Sequence, residues 1–121
     1  GSAAVTVGPA RHPVPAVGYR VQEGDISFGF TGDTNTLPAL ADFYRGCRLL
    51  LADGLFPESD WAEGKPHLSA ALAAQLAREI GAEKLVLTHL NPFYPAAQLL
   101  REAQAHFSGA VLAEADKMFD I

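Results

Sequence analysis

Ile26, Phe28 and Phe30 alternate with Ser27 and Gly29, a period of two that predicts a strand with one buried face. Residues 17–22 (Val-Gly-Tyr-Arg-Val-Gln) read as its partner, with Glu23-Gly24-Asp25 as the turn of a hairpin. An earlier short strand fits the segment from Ala4 to Val7. Residues 48–52 and 84–88 are short apolar runs without alternation, the pattern of strands covered on both faces in the middle of a sheet. Residues 110–113 read as a third such run. Residues 117–121 read as a closing strand, with Ala115-Asp116 as the turn before it.

Three helical patterns separate these strands. The first spans about 37–45, where Pro38 suits a first turn and Gly46 a stop. The second spans about 70–80, with Ser69 as N-cap and Gly81 as terminator. Leu72, Ala73, Leu76, Ala77 and Ile80 share its apolar face. The third runs from near Pro95 to near Phe107, with Ala96, Leu99, Leu100, Ala103 and Phe107 as its stripe. Successive β-α-β units imply a right-handed, largely parallel portion of sheet, and the hairpin adds antiparallel strands. The fold class is therefore α/β.

Composition narrows the class further. The 121 residues suffice for one compact domain, and 49% hydrophobic content can build its core. A net charge of −5, with nine Lys and Arg in no basic run, argues against a module that binds nucleic acid by neutralising phosphates. An enzyme acting on a phosphodiester stays open, because metal ions can supply positive charge. The single cysteine, Cys47, reads as a buried, inert thiol and fits a reducing compartment. No apolar run approaches the ~20 residues of a membrane span. No membrane partner and a cytoplasmic location are expected. Gly1-Ser2 resembles a remnant of tag removal, leaving 3–121 as the domain.

Polar residues gather where strands finish. The strand at 26–30 runs into Thr31-Gly32-Asp33-Thr34, and the strand at 84–88 runs into His89. Ligands collect at the carboxyl ends of parallel strands, so Asp33 and His89 can converge despite their separation. His12 lies in Arg-His-Pro-Val-Pro, where two prolines stiffen the loop. His67, in Pro-His-Leu-Ser before the second helix, can reach the same edge. Two imidazoles and a carboxylate suit zinc or another first-row divalent metal. Taken singly, His12 reads as a loop histidine and Gly32-Asp33 as a simple turn. His106 falls on a polar helix face and reads as structural.

The order of three segments carries a resemblance. His12-Pro-Val-Pro-Ala-Val-Gly-Tyr-Arg-Val, then Phe30-Thr-Gly-Asp-Thr34, then Leu85-Val-Leu-Thr-His-Leu90 resemble the metallo-β-lactamase superfamily, and within it the ribonuclease-Z-like hydrolases. The similarity extends from about residue 10 to the end. It implies the C-terminal half of a four-layer αββα sandwich, a mixed sheet with helices on one face. It also implies metal-assisted hydrolysis with two divalent metals: zinc, or manganese or iron in its place. By the resemblance His12, Asp33 and His89 are metal ligands, Asp33 bridges both metals, and His67 donates a proton to the leaving group. Asp33 and His67 are thus the catalytic candidates.

Two departures from the family pattern matter. Its His-x-His-x-Asp-His motif, which supplies most metal ligands, is absent from these residues. The family's His-Glu-Ala-Thr is also missing: after Leu49-Leu-Leu-Ala this chain has Asp53-Gly-Leu-Phe, so the acidic position reads as shifted or lost. That counts against tRNA 3′ processing. The expectation is a truncated metal-dependent hydrolase whose parent acts on a phosphodiester or related small-molecule ester. The fragment itself would bind metal weakly and be inactive. Its partner would be the missing N-terminal half, or a second copy docked on the exposed sheet face. Phe28, Phe30 and Tyr19 are candidates for one side or the other of that sheet. Two other readings stand beside this one. One is a non-catalytic interaction or assembly module that pairs with another half-domain. The other is an unrelated α/β binding domain in which the Gly-Asp-Thr turn is incidental.

Overall fold

The computed structural model describes residues 3–88 and 92–114. Six strands form one sheet in sequence order: β1 (Ala4–Gly8), β2 (Gly18–Glu23), β3 (Ile26–Phe30), β4 (Leu49–Asp53), β5 (Lys84–Thr88) and β6 (Ala110–Leu112). β1, β2 and β3 are antiparallel neighbours, and β3 to β6 are parallel. The expected mixed α/β sheet is therefore present. The helices are α1 (Ala39–Tyr44), α2 (Ala70–Ile80) and α3 (Ala96–Gln104). Residues 117–121, expected as a closing strand, lie outside the described residues.

Local chemistry explains the element ends. The Ser69 side chain accepts from the Leu72 N–H at 3.0 Å, satisfying a donor that the first turn of α2 leaves unpaired. Gly81 closes the helix in the left-handed region at φ 77°. Both α1 and α3 are shorter than their apolar stripes imply. Pro38 precedes α1 without a side-chain cap, and Phe107 packs against the core from beyond the end of α3.

All three helices lie on one face of the sheet. Leu50, Ala52, Leu85, Leu87 and Ala110, from alternate positions of β4 to β6, join Leu40, Tyr44, Ala73, Ala77, Leu99 and Ala103 in a single core. Tyr44 shows how closely α1 sits. Its ring lies where a Cβ on Gly29 would stand, and its hydroxyl where one on Gly18 would stand. That hydroxyl donates to the Phe30 carbonyl at 3.0 Å. Burial pushes the Tyr44 phenol far above its ordinary pKa, and the neighbouring Cys47 adds to the shift. Cys47 is itself fully buried, as expected, and burial raises its thiol too.

The opposite face is apolar along β1 to β3. The register pairs Val5 with Val21, Val7 with Tyr19, Tyr19 with Phe30, and Val21 with Phe28. Val5, Val7, Tyr19, Ile26 and Phe30 are 36–61% exposed. Tyr19, Phe28 and Phe30 thus all belong to the side away from the helices.

Candidate active site

The ends of β3 and β4 are bolted together before either loop begins. Thr31 N–H donates to the Leu51 carbonyl at 3.0 Å, and the Asp53 N–H donates to Thr31 Oγ1 at 3.0 Å. Gly32 then turns the chain at φ 61°, with the Val17 carbonyl only 2.6 Å from where its Cβ would stand. No other residue fits that turn without strain. Asp33 follows, exposed at the sheet edge.

The His12 segment is tied to the same turn by its backbone. The Arg11 N–H donates to Thr34 Oγ1 at 2.8 Å, and the Asn35 N–H returns to the Arg11 carbonyl at 2.8 Å. This bracket sets His12 beside the site, and its ring centroid lies 5.3 Å from that of His67.

His67 is buried at the end of the long loop between β4 and α2. Its Nδ1 is hydrogen-bonded to Oδ2 of Asp53, the last residue of β4, which is fully buried. The same carboxylate oxygen accepts from the Thr34 N–H at 3.2 Å. A carboxylate can only accept, so the imidazole proton sits on Nδ1 and the ring's reactive edge is Nε2. Burial pulls the His67 pKa below the ordinary histidine value; Asp33 pulls it up and His12 pushes it down. Phe56, with its ring 6.2 Å from His67, flanks the imidazole on the loop side.

Asp33, Asp53 and His67 each offer a ligand atom within 4.8 Å of the others. Carboxylate oxygen and imidazole nitrogen, the donors that Asp33 and the neighbouring His12 also offer, suit a divalent ion such as zinc, manganese or iron, so the residues present fit the metal chemistry expected of the site even with Asp53 and His67 engaged with each other.

A family model described as a beta-lactamase superfamily domain matches residues 1–90. The chain belongs to that superfamily. It is similar to a protein named ribonuclease Z from Prochlorococcus marinus strain MIT 9313, at 39% identity over 78% of the chain and 32% of that protein. An uncharacterised Mycobacterium tuberculosis protein is 30% identical over 98% of the chain and 45% of its own length. Among solved structures, the metallo-β-lactamase fold protein YhfI from Bacillus subtilis superposes with a TM-score of 0.87 at 28% identity, over 93% of this chain and 48% of that one. The short form of human tRNase Z superposes at 0.70 with 22% identity, over 91% and 40%, a likeness of fold. The chain spans 32% and 45% of the lengths of these two curated relatives.

Within this superfamily member, three of the four residues singled out from sequence come together. His12, Asp33 and His67 converge at one edge of the sheet. His89 follows β5 and lies outside the described residues. The residue that sequence reasoning missed is Asp53. Asp53 is the last residue of β4, and its carboxylate is in contact with His67. One signal was available: an Asp terminating an apolar parallel strand, at the start of the loop that bears His67, stands where ligands collect. Among the described residues no helix is long and apolar enough to cross a membrane.

Proposed function

We propose that this chain carries one half of a metal-dependent phosphodiesterase site, with His12, Asp33 and His89 as metal-holding residues and His67 as the general acid. Divalent metal bound there would supply Lewis-acid activation of the scissile phosphoryl group and of water. The observation that carries the reading is the buried contact of His67 Nδ1 with Asp53, beside Asp33 and His12. Asp53 holds the ring in one orientation, which leaves Nε2 as the nitrogen that can deliver a proton to the departing oxygen. Asp33, which offers a ligand atom within 4.8 Å of one on His67, would help to hold the metals. Similarity to proteins named ribonuclease Z favours a phosphodiester over a lactam or thioester.

His12, Asp33 and His89 are too few ligands for two closed metal sites. The remaining ligands come from a second half of the fold, docked against the apolar face of β1 to β3. Turnover of bis(p-nitrophenyl) phosphate tests this. The chain alone is expected to be inactive, and the chain joined to a half bearing His-x-His-x-Asp-His is expected to be active with zinc or manganese. Absence of turnover in the joined protein with either metal would refute the reading.

A second reading is favoured by the same open face. A patch containing Val5, Val7, Tyr19, Ile26 and Phe30 is of the kind that soluble monomers rarely leave uncovered. In that reading the chain is an assembly module that pairs through this face, with a second copy standing in for the absent half. Sedimentation distinguishes monomer from dimer directly.

A further inference from the structure

The loop between β4 and α2 must deliver His67 to Asp53, yet it crosses 13 positions between the two without a strand or a long helix. Its only regular element is the short 3-10 turn Glu58–Asp60. Its backbone groups need partners from elsewhere. One side chain supplies partners for three of its carbonyls. The Asn35 amide nitrogen donates to the carbonyls of Ala62, Glu63 and Lys65 at 3.1, 3.2 and 2.7 Å. Its amide oxygen accepts from the Trp61 indole N–H at 2.9 Å and from the Thr36 N–H at 2.6 Å. Asn35 is fully buried. The Trp61 N–H is shared with the carbonyl of His67 itself, at 3.1 Å. Arg11 adds a further tie to the loop through the Glu63 carbonyl.

Asn35 also stands two residues beyond Asp33, and its own N–H is part of the bracket that seats the His12 segment. It therefore contacts three pieces of the site: the Asp33 turn by chain connection, the His12 loop by backbone, and the His67 loop by side chain. We propose that Asn35, acting through Trp61, is the positioning residue that sets His67 against Asp53 and Asp33. This rests on the reading of His67 as the acid, but its geometric content does not. An amide is the side chain the arrangement requires. It donates and accepts at once, whereas Asp at this position would face three carbonyls with no proton to give, and Leu would leave them all unpaired.

A merely structural role would lower stability and leave the His67 ring as it is. The experiment is therefore spectroscopic. The Nδ1–H of His67 is followed by proton–nitrogen NMR in the 121-residue chain, in the wild type and in Asn35→Asp, Trp61→Phe and Tyr44→Phe. Trp61→Phe keeps an aromatic side chain, though a smaller one, and loses the shared N–H, so it is the variant to use if Asn35→Asp does not fold. The expected result is solvent exchange of the Nδ1–H faster by about tenfold or more in Trp61→Phe, equivalent to the loss of one buried hydrogen bond, and loss of the signal in Asn35→Asp. Tyr44→Phe, which weakens the fold without touching the hydrogen bonds of the loop, is expected to leave the signal unchanged. A folded Trp61→Phe with wild-type exchange would overturn the proposal, as would an equal effect from Tyr44→Phe. If the signal responds as expected but the joined protein hydrolyses no phosphodiester, the positioning role stands and the hydrolase reading fails.

Discussion

His67 and Asp53 are fourteen positions apart, and they meet in a buried hydrogen bond between Nδ1 and Oδ2. The bond joins the end of a central strand to the end of a long loop, and Thr34 of the Asp33 turn shares its acceptor. A protonated Nδ1 with its carboxylate partner is the arrangement that lets the far nitrogen exchange protons with a bound molecule.

Replacing Asp53 separates orientation from folding. Asp53→Asn keeps the size of the side chain but loses the charge that holds His67. In the joined protein kcat is expected to fall by about 10²-fold or more with KM little changed, the scale of a lost general acid. Asp53→Ala also strips the Thr34 N–H of its acceptor, and a further loss of about 1–3 kcal/mol of stability is expected by denaturant titration.

Gly32 sets where Asp33 points. Gly32→Ala forces a Cβ towards the Val17 carbonyl at a positive φ. A stability loss above about 1 kcal/mol is expected by urea unfolding, together with weaker zinc binding by calorimetry, since the Asp33 turn must shift. Unchanged stability and unchanged affinity would show that the turn tolerates the side chain.

The buried phenol of Tyr44 makes an alkaline prediction. Burial raises its pKa in the folded chain above the unfolded value, so its contribution to stability is complete below the unfolded pKa of about 10 and is lost as pH rises beyond it. Tyr44→Phe gives up the bond to the Phe30 carbonyl and is expected to cost about 1 kcal/mol at pH 7. Above about pH 10 the gap between the two proteins should narrow, because the variant has no phenol to ionise. Thermal unfolding at pH 7 and at pH 11 reads both arms.

The open face makes a further prediction. Val7 and Ile26 are exposed on β1 and β3, so Val7→Glu with Ile26→Lys should leave the fold intact. If the face pairs two copies, the wild type sediments as a dimer at high concentration and the double variant as a monomer. A wild type that stays monomeric at every concentration counts against pairing through this face.

Much of the fold was legible because its signals are local. The alternation at 26–30, the continuous apolar runs at 48–52 and 84–88, Ser69 and Gly81 each act within a few residues of themselves. The ends of α1 and α3 were less so, since apolar stripes persist past the last helical hydrogen bond when the next residues also pack on the core. Phe107 is the instance.

In the site, His12, Asp33 and His67 were found because their residue types are chemically conspicuous and stand at strand ends. Asp53 and Asn35 were not. A buried Asp is tolerable only with partners, and its partners come from Thr34 and His67, well separated along the chain. Asn35 looks like one more turn residue until the carbonyls of 62, 63 and 65 are seen around it.

The central proposition is that His67 is the acid of a site whose metals are held by other residues. The measurement is phosphodiester turnover and metal content, made together, on the joined two-half protein carrying His67→Asn. The expected result is a full complement of metal with kcat reduced by about 10²-fold or more. Wild-type turnover in that variant, or loss of metal in step with activity, would contradict it.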